Sequence, residues 1–290
     1  MRNHLSFRDG SRVWAAAVGA AALAVLALGV RIAVAHDLFL KPEEFFLSPN
    51  AELRMRVLNG TFRSSEAPVA RNRLRDLSLA GPTGVTRGDT TQWATRDKES
   101  RWQLRVGEKG TYAAGASVLP RVLRLEAKDF NAYLGEDGIA DVLAERRRAH
   151  ELDRPARERY SKHVKAIVSV GQSSASAADS AFRSAFGYPA ELVPLDNPYA
   201  LRVGSTLRVR ALVDGTPVSS QIVLAGGNTA RGDKIRERQT RTDANGIALV
   251  PLRSSGVWYV KFIRMRRMPA AASDSVDYES KWATLTFAVK

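Results

Sequence analysis

The sequence contains no cysteine, which excludes several kinds of structure and chemistry at once. Disulfide bonds, iron–sulfur clusters, thiolate metal sites and cysteine nucleophiles all need that side chain. A fold without disulfides must be held by core packing, and 290 residues of 44% hydrophobic composition are enough for one large domain or two of ordinary size. The sequence also lacks the short motifs of common hydrolases and phosphate-binding loops, which favours a non-enzymatic role without excluding an enzyme.

Long apolar runs are equally scarce, since only residues 13–30 form one long enough to cross a bilayer. A segment with three arginines precedes this run, and Ala33-Val34-Ala35 follows it. A basic start, an apolar middle and a small-x-small end are typical of a cleavable secretory signal. We therefore predict a signal peptide over residues 1–35, export, and a mature chain that begins at His36. The alternative is an uncleaved membrane anchor.

Acidic residues are few compared with basic ones, 30 against 44, and the formal net charge is +14. The first 35 residues contain four arginines and one aspartate, so residues 36–290 keep a net charge of about +11. Such a balance favours anionic partners, such as anionic lipid or an acidic cell-wall polymer. We expect no nucleic-acid partner, because an exported protein does not meet nucleic acid in the cell.

Residues 36–128 show the period-two pattern of strands that bury one face. Leu53, Met55 and Val57 alternate with charged residues, and turn signals such as Asn59-Gly60 separate the short segments. The spacing predicts an amino-terminal β-sandwich domain over 36–128.

The period changes in residues 129–190, which we interpret as a helical connector followed by a small-residue link. Ile139, Val142 and Leu143 are spaced as on one face of a helix, and the arginines at 146–148 suit a solvated face. Pro155 is a plausible first-turn residue of a second helix running towards Val168. Residues 171–181 are small and polar, as in flexible links.

Residues 191–290 return to alternation, as in Leu207, Val209 and Ala211. We predict a second β-sandwich domain of immunoglobulin-like or transthyretin-like type over 191–290. The predicted fold is therefore mostly β, with two β-sandwich domains and a helical connector.

Several segments of the mature chain resemble one known family. They are residues 36–42 (HDLFLKP), 58–62 (LNGTF), 159–165 (RYSKHVK), 242–246 (TDANG), 256–260 (GVWYV) and 278–287 (YESKWATLTF). Together they resemble a bacterial periplasmic family of domains of unknown function that is described as a nickel-uptake-associated substrate-specific component. The resemblance covers essentially the whole mature chain. It implies a periplasmic binding protein linked with transition-metal or outer-membrane uptake. In that family a His-Met pair often ends the strand after Gly-x-Trp, whereas this chain has Arg264-Met265.

Three histidines remain after cleavage, and His36 is the best candidate for a metal ligand. A free terminal histidine can chelate a metal through its amine and a ring nitrogen, and nitrogen-rich sets suit Cu(II) or Ni(II). Asp37 could orient the ring or bind from outside. His163 could supply a further imidazole, although a lone histidine in a helix is more often structural. We expect His150, which follows an arginine run, to be exposed.

The sequence thus leaves several functions open. The first is a periplasmic, non-enzymatic accessory protein that binds nickel, cobalt or copper for uptake, with an inner-membrane metal transporter or an outer-membrane receptor as partner. The second is a metal-free binding module for a polymer, a glycan or an outer-membrane receptor. The third is an enzyme with copper oxidase chemistry at His36.

We predict that the exported protein starts at His36, because the Ala-Val-Ala end suits cleavage after Ala35. Mass spectrometry of protein from periplasmic extracts should give the mass of residues 36–290. A chain that keeps residues 13–30 would contradict the cleavage and remove the free His36 amine.

Overall fold

Strands form most of the molecule, which a computed structural model describes over residues 36–171, 180–269 and 276–290. The predicted signal peptide (1–35) and most of the predicted small-residue link (172–179) lie outside the described residues. The strands are β1 (Asp37–Pro42), β2 (Phe46–Leu47), β3 (Glu52–Gly60), β4 (Leu74–Gly81), β5 (Gly84–Arg87), β6 (Trp93–Arg96), β7 (Glu99–Arg105), β8 (Gly110–Val118), β9 (Arg121–Leu125), β10 (Ala156–Val170), β11 (Ala190–Pro194), β12 (Thr206–Val213), β13 (Thr216–Pro217), β14 (Ile222–Thr229), β15 (Lys234–Arg241), β16 (Ile247–Pro251), β17 (Gly256–Arg267) and β18 (Tyr278–Val289). The α-helices are α1 (Ala127–Glu136) and α2 (Ala140–Arg148), and single 3-10 turns cover Arg71–Arg73, Thr90–Gln92, Ala181–Arg183 and Pro198–Ala200. This composition confirms the predicted mostly-β class.

The strands form three sheets, which we call front, central and back. The front sheet has the order β1-β3-β7-β6, and the back sheet joins β11, β12, β13 and β16. The central sheet runs β15-β14-β17-β18-β10-β8-β4-β5, with β2 and β9 also paired to β10. β10 and β18 are parallel neighbours, whereas β18 and β17 are antiparallel.

The two faces of the central sheet bury different layers, because successive side chains of a strand point to opposite faces. Val164 and Ala166 of β10 belong to one core with the front sheet, and Ile167 belongs to another core with the back sheet. Helices α1 and α2 cover the other end of the front-facing side, where Trp282 and Met265 pack against them. The arrangement is of the β-sandwich class, with a sheet on each side of the central one.

The central sheet takes strands from both segments that the sequence pattern separated. β4, β5 and β8 come from residues 36–128, β14, β15, β17 and β18 come from residues 191–290, and β10 lies between the two groups. The described residues from 36 to 290 belong to one compact unit by their contacts, and the predicted boundaries at 128 and 190 fall within it.

The second predicted helix is wrong, because residues 156–170 form the strand β10. Residues 161–170 are all buried, since the strand is covered on both faces. A strand buried on both faces loses the apolar–polar alternation that identifies a half-buried strand. Within the described part of residues 129–190, α-helix therefore ends at Arg148.

Helix α2 lies where the spacing of Ile139, Val142 and Leu143 predicts it, but its basic face is not fully solvated. Arg146 is buried, and its guanidinium donates to the carbonyl oxygens of Glu151 and Arg154, both at 2.6 Å. The same group lies 4.9 Å from the centre of the Phe130 ring. Arg146 thus fastens the end of α2 to α1 and to the chain that enters β10.

Within the part of the chain that the structure describes, neither helix has the length and apolar character needed to cross a membrane.

On the back-facing side, Lys165 and Glu191 form an ion pair whose side chains are each only 3% exposed. The ammonium lies 2.9 Å from Glu191 Oε2, and the same carboxylate accepts the backbone N–H groups of Phe186 and Tyr188. Burial lowers the pKa of Lys165, and the negative charge of Glu191 opposes this. The pair joins β10 of the central sheet to β11 of the back sheet.

We predict that Glu191→Gln lowers the free energy of unfolding by about 3–5 kcal/mol, because a buried ammonium then loses its counter-charge. Urea unfolding followed by circular dichroism measures this difference. The double variant Lys165→Met/Glu191→Gln should lose less than the single variant, since no uncompensated charge stays buried. A loss of no more than about 1 kcal/mol in the single variant, typical of an exposed pair, would contradict the prediction.

Candidate functional site at the mature amino terminus

Five charged residues meet on the front-facing side of the central sheet, at the start of β1. We call Asp37, Asp137, Glu158, Lys162 and Lys261 the buried charge cluster. The side chains of Glu158, Lys162 and Lys261 are almost completely buried, at 1%, 7% and 5% exposure of the residue. Burying this many charges is unfavourable unless they compensate one another, so each charge needs a partner within the cluster or beside it.

Lys261 is the paired centre of the cluster. Its ammonium lies 2.5 Å from Asp37 Oδ2, 3.2 Å from Asp137 Oδ1 and 3.7 Å from Glu237 Oε2. Burial alone would lower the pKa of Lys261, but these carboxylates outweigh it and raise the pKa well above the usual value. Burial raises the pKa of Asp137 to about 6, although the positive charge of Lys261 lowers it. At neutral pH Lys261 is therefore a cation that joins β1, the end of α1, β15 and β17.

Glu158 is a buried acid with neutral partners. The hydroxyl of Tyr133 donates to its Oε1 at 3.0 Å, and the hydroxyl of Ser280 donates to the same oxygen. Its Oε2 is buried without a hydrogen-bond partner among the described residues. Burial raises the pKa of Glu158 to about 7, although the hydroxyl bonds and the charge of Lys162 favour ionisation.

Lys162 is buried, yet it has no carboxylate within ion-pair distance among the residues described. Its ammonium donates to the carbonyl oxygen of His36 and lies 4.9 Å from the centre of the Trp282 ring. Burial lowers the pKa of Lys162 to about 8, although Asp37, Glu158 and Asp137 pull it upwards. The main-chain contact with His36 fixes the residue that cleavage would make the first of the mature chain.

His36 itself is half-buried and lies next to an acid. Its Nε2 is 3.1 Å from Glu66 Oε2. Glu66 sits in the loop after β3, where its backbone N–H donates to the Asn59 carbonyl at 2.9 Å. Ser65 pairs with Gly60 in the same loop, so the position of Glu66 is set by the backbone of β3.

Asp37, the first residue of β1, is held by contacts with β3 and with Lys261. It opens β1, where it pairs with Gly60 of β3, and its Oδ2 is committed to Lys261. Its Oδ1 is buried without a hydrogen-bond partner within the described ranges. Asp37 is thus close in the chain to His36 but is held in a buried ion pair.

His163 is not brought together with His36. Lys162 faces the front, towards His36, so the next residue along the strand faces the back. The ring of His163 is bonded at both nitrogens, with Ser117 Oγ 2.8 Å from Nδ1 and Ser161 Oγ 3.1 Å from Nε2. Burial, with smaller contributions from the cations of Arg75 and Lys281, lowers the pKa of His163 to about 3. It is a neutral histidine with its hydrogen bonds satisfied.

His150 is exposed, as the sequence suggests, and it lies just beyond α2. No group of three or more histidine, aspartate and glutamate side chains suited to a metal occurs in the ranges that the structure covers.

Sequence reasoning missed Glu66 and the two lysines of the cluster. One signal was available for Lys261, because a single cation interrupts the apolar run from Trp258 to Ile263. A lysine in such a run must be buried in a strand and needs a partner. Glu66 carries no comparable signal, since it lies in a polar loop and meets His36 only through the pairing of β1 with β3.

Comparisons with known proteins give a family but little further information. A family model described as "Domain of unknown function (DUF4198)" matches residues 33–266. No curated protein matches the chain. One similar solved structure is the tetra-tandem repeat in the extending region of a large adhesion protein, with 10% identity, 86% of this chain and 48% of that chain covered, and a TM-score of 0.22. Another is native alpha-2-macroglobulin from Escherichia coli spanning domains MG0-NIE-MG1, with 11% identity, 86% and 69% covered, and a TM-score of 0.21. The chain spans about half the length of the first of these, and likenesses this low carry no argument about function.

We predict that Glu158→Gln stabilises the protein relative to the parent, and that this gain in the free energy of unfolding is larger at pH 8 than at pH 5. Because the folded-state pKa of Glu158 is raised to about 7, its ionised form opposes folding, and this penalty grows as the pH rises from about 4.5 through 7. The amide keeps an oxygen for Tyr133 and Ser280 and removes the charge. The gain at pH 8 should be about 2–3 kcal/mol, by the conversion of a pKa shift to free energy.

Urea unfolding of both proteins at the two pH values tests this, because the titrating groups that do not interact with Glu158 contribute equally in variant and parent. Tyr133→Phe serves as a control that removes one donor to the carboxylate and should destabilise the protein at pH 8. A stability difference between Glu158→Gln and the parent that is equal at pH 5 and pH 8 would show that Glu158 does not titrate in this range.

Proposed function

We propose that this chain, which belongs to the DUF4198 family of domains of unknown function, binds one divalent transition-metal ion at its mature amino terminus. The α-amine and ring Nδ1 of His36 would provide the two protein nitrogens, with water completing the set. Nitrogen ligands in a near-planar arrangement suit Cu(II) or Ni(II).

The observation that carries the proposal is the 3.1 Å approach of His36 Nε2 to Glu66 Oε2. A histidine that binds a metal through one ring nitrogen usually donates its other N–H to a carboxylate, which fixes the tautomer and the orientation of the ring. When the imidazole is neutral and its Nε2–H donates to this carboxylate, the lone pair of Nδ1 is free for a metal. Nδ1 is the ring nitrogen that can form a chelate ring with the amine of the same residue.

The main chain around His36 is held in place, which supports a preformed chelate. Lys162 donates to the His36 carbonyl, and β1 begins its pairing with β3 at the next residue. Asp37 is tied to Lys261 at 2.5 Å. A free terminus normally loses conformational entropy when it binds a ligand, and a fixed one loses less. In this proposal Asp37 anchors the terminus, and His163, on the back-facing side, has no part.

The cellular role follows from the same proposal. An exported metal-binding protein without enzymatic motifs suits a periplasmic accessory of nickel, cobalt or copper uptake. Its partners would be an inner-membrane metal transporter or an outer-membrane receptor.

The metal-free alternative has an observation in its favour as well. A groove of about 530 Å³ on the front sheet is lined by five cationic side chains and two acidic ones. The cations are Arg56, Arg63, Arg96, Lys98 and Arg101. Such a groove suits an anionic polymer, and this module is the better proposal if the terminus does not bind metal.

We predict that the mature chain binds about one equivalent of Cu(II) or Ni(II) at neutral pH, and that blocking the terminal amine abolishes this stoichiometric binding. The control carries Gly-Ser-Ser-Pro before His36, which keeps the imidazole but moves the amine away. Proline lacks a backbone N–H, so its nitrogen cannot replace the amine as a ligand. Isothermal titration of the two forms with each metal salt measures the difference.

Two further results follow. Glu66→Gln should weaken binding by about 10–100-fold, the usual effect of removing a carboxylate that orients a metal-binding histidine. The exposed Glu44→Gln variant should leave binding unchanged. Affinity should also fall in acid, because an α-amine titrates near 7.7–8.0 in peptides and metal must displace its proton. Equal affinity in the mature and extended forms would overturn the proposal.

A further inference from the structure

A cavity of about 100 Å³ lies beside the buried charge cluster, between β1, β8, β9 and the segment that leads into β4. Its apolar wall includes Leu38, Val69 and Val118. Its polar wall has a different composition, since it contains three cationic side chains and no acidic one. These cations are Arg73, Arg121 and Lys162, and Asn59 and Tyr160 complete the polar wall.

Lys162 differs from the other two buried lysines of the molecule. Lys165 has Glu191 at 2.9 Å, and Lys261 has three carboxylates within 4 Å. Lys162 has only the His36 carbonyl and two aromatic rings as described partners. It is 7% exposed, so water does little to replace the carboxylate contact that the other two lysines have.

Arg73 adds one unsatisfied N–H group to the cavity wall. Its guanidinium donates to the Leu119 carbonyl, but its Nε is buried and has no hydrogen-bond partner in the described part of the chain. Arg121, at the start of β9, is exposed and lines the same cavity. The cavity therefore presents positive charge and unsatisfied N–H groups next to an apolar wall.

We propose that this cavity binds the carboxylate group of a small aliphatic acid, with the carboxylate towards Lys162, Arg73 and Arg121 and the alkyl part against Leu38, Val69 and Val118. A carboxylate would supply the direct ion pair that Lys162 lacks among the described residues and acceptors for the arginine N–H groups. The volume equals that of about three water molecules at roughly 30 Å³ each, so acids of the size of acetate or propionate fit. The inference goes beyond the metal proposal and does not depend on it, because His36 does not line the cavity.

Propionate and its neutral isostere propionamide are the probes, titrated at constant ionic strength into the full mature chain without metal. We expect saturable binding of propionate by calorimetry, accompanied by an increase in thermal stability, and neither effect with propionamide. Inorganic phosphate, titrated in the same way, separates a carboxylate site from a general anion site. Phosphate has no alkyl group that could contact the apolar wall.

Two variants test the residues. Lys162→Met removes the cation at the buried end and should abolish propionate binding, while its thermal unfolding shows whether it folds. Arg121→Gln changes an exposed side chain and should weaken binding on the order of tenfold or more, the effect of losing one charge-assisted hydrogen bond. Arg124→Gln is the matched control on the same strand, because Arg124 does not line the cavity, and it should bind propionate as the parent does.

The proposal is overturned if propionate shows no saturable binding or if propionamide binds equally well. It is also overturned if phosphate binds more tightly than propionate, or if Arg121→Gln and Arg124→Gln behave alike. Each of these outcomes is independent of metal binding, since the metal is absent from the titration.

Discussion

The burial of β10 on both faces is the constraint on which much of this structure depends. The strand is paired with β18 along one edge and with β8 and β9 along the other, and it lies between the front and back layers. Four of its buried side chains are nevertheless ionisable: Glu158, Lys162, His163 and Lys165. A buried polar group without a partner is strongly unfavourable, so the surrounding elements must supply partners. Three of the four receive them from hydroxyls or a carboxylate, and Lys162 is held only by a carbonyl and aromatic rings.

The same constraint explains how the start of β1 is held. The charges on the front-facing side of the central sheet are compensated partly by groups from the layer above, and β1 is part of that layer. Asp37 pairs with Lys261, and the His36 carbonyl accepts from Lys162. Two cations in the middle of a sheet thus hold the backbone of His36 and the side chain of Asp37 in place. The position of His36 beside Glu66 is a consequence of that fixing, together with the pairing of β1 and β3.

How far the fold could be predicted depends on how many faces of each element are buried. The front and back sheets have one buried face, so Leu53, Met55 and Val57 alternate with charged residues and reveal a strand. The spacing of Ile139, Val142 and Leu143 predicts helix α2 for the same reason, because the helix also buries one face. β10 gives no such pattern, because both faces are buried and its charges interrupt the apolar run. The sequence therefore suggests a helix after Pro155, although the central sheet needs a strand there.

The candidate site was predictable only in the part that local sequence determines. His36 follows from the small-x-small end of the signal, which is a local pattern. Its neighbour Glu66 and the lysines belong to other strands and loops, and the Asp37–Lys261 pair joins residues 224 positions apart. Such pairings depend on strand register, which no short pattern specifies. His163 illustrates the same limit from the other direction. Its segment matches the family resemblance, but the two-residue period of a strand places its ring on the face opposite to Lys162 and His36.

The charge balance near His36 decides whether a cation could be held there. Lys162 opposes a metal ion, because like charges repel by about 4 kcal/mol at 4 Å for an effective dielectric constant of 20. The carboxylates of Asp37, Asp137 and Glu158 offset the positive charges of Lys162 and Lys261, although Glu158 is only partly ionised near its pKa of about 7. The cluster therefore tolerates a cation better than Lys162 alone would. A carboxylate against Lys162 would reduce the repulsion further. By linkage, any such effect is reciprocal: an anion that favours the metal must itself be favoured by the metal to the same degree. A site for each charge beside one lysine is therefore a physically consistent arrangement, in which the charge of Lys162 would act on both ligands.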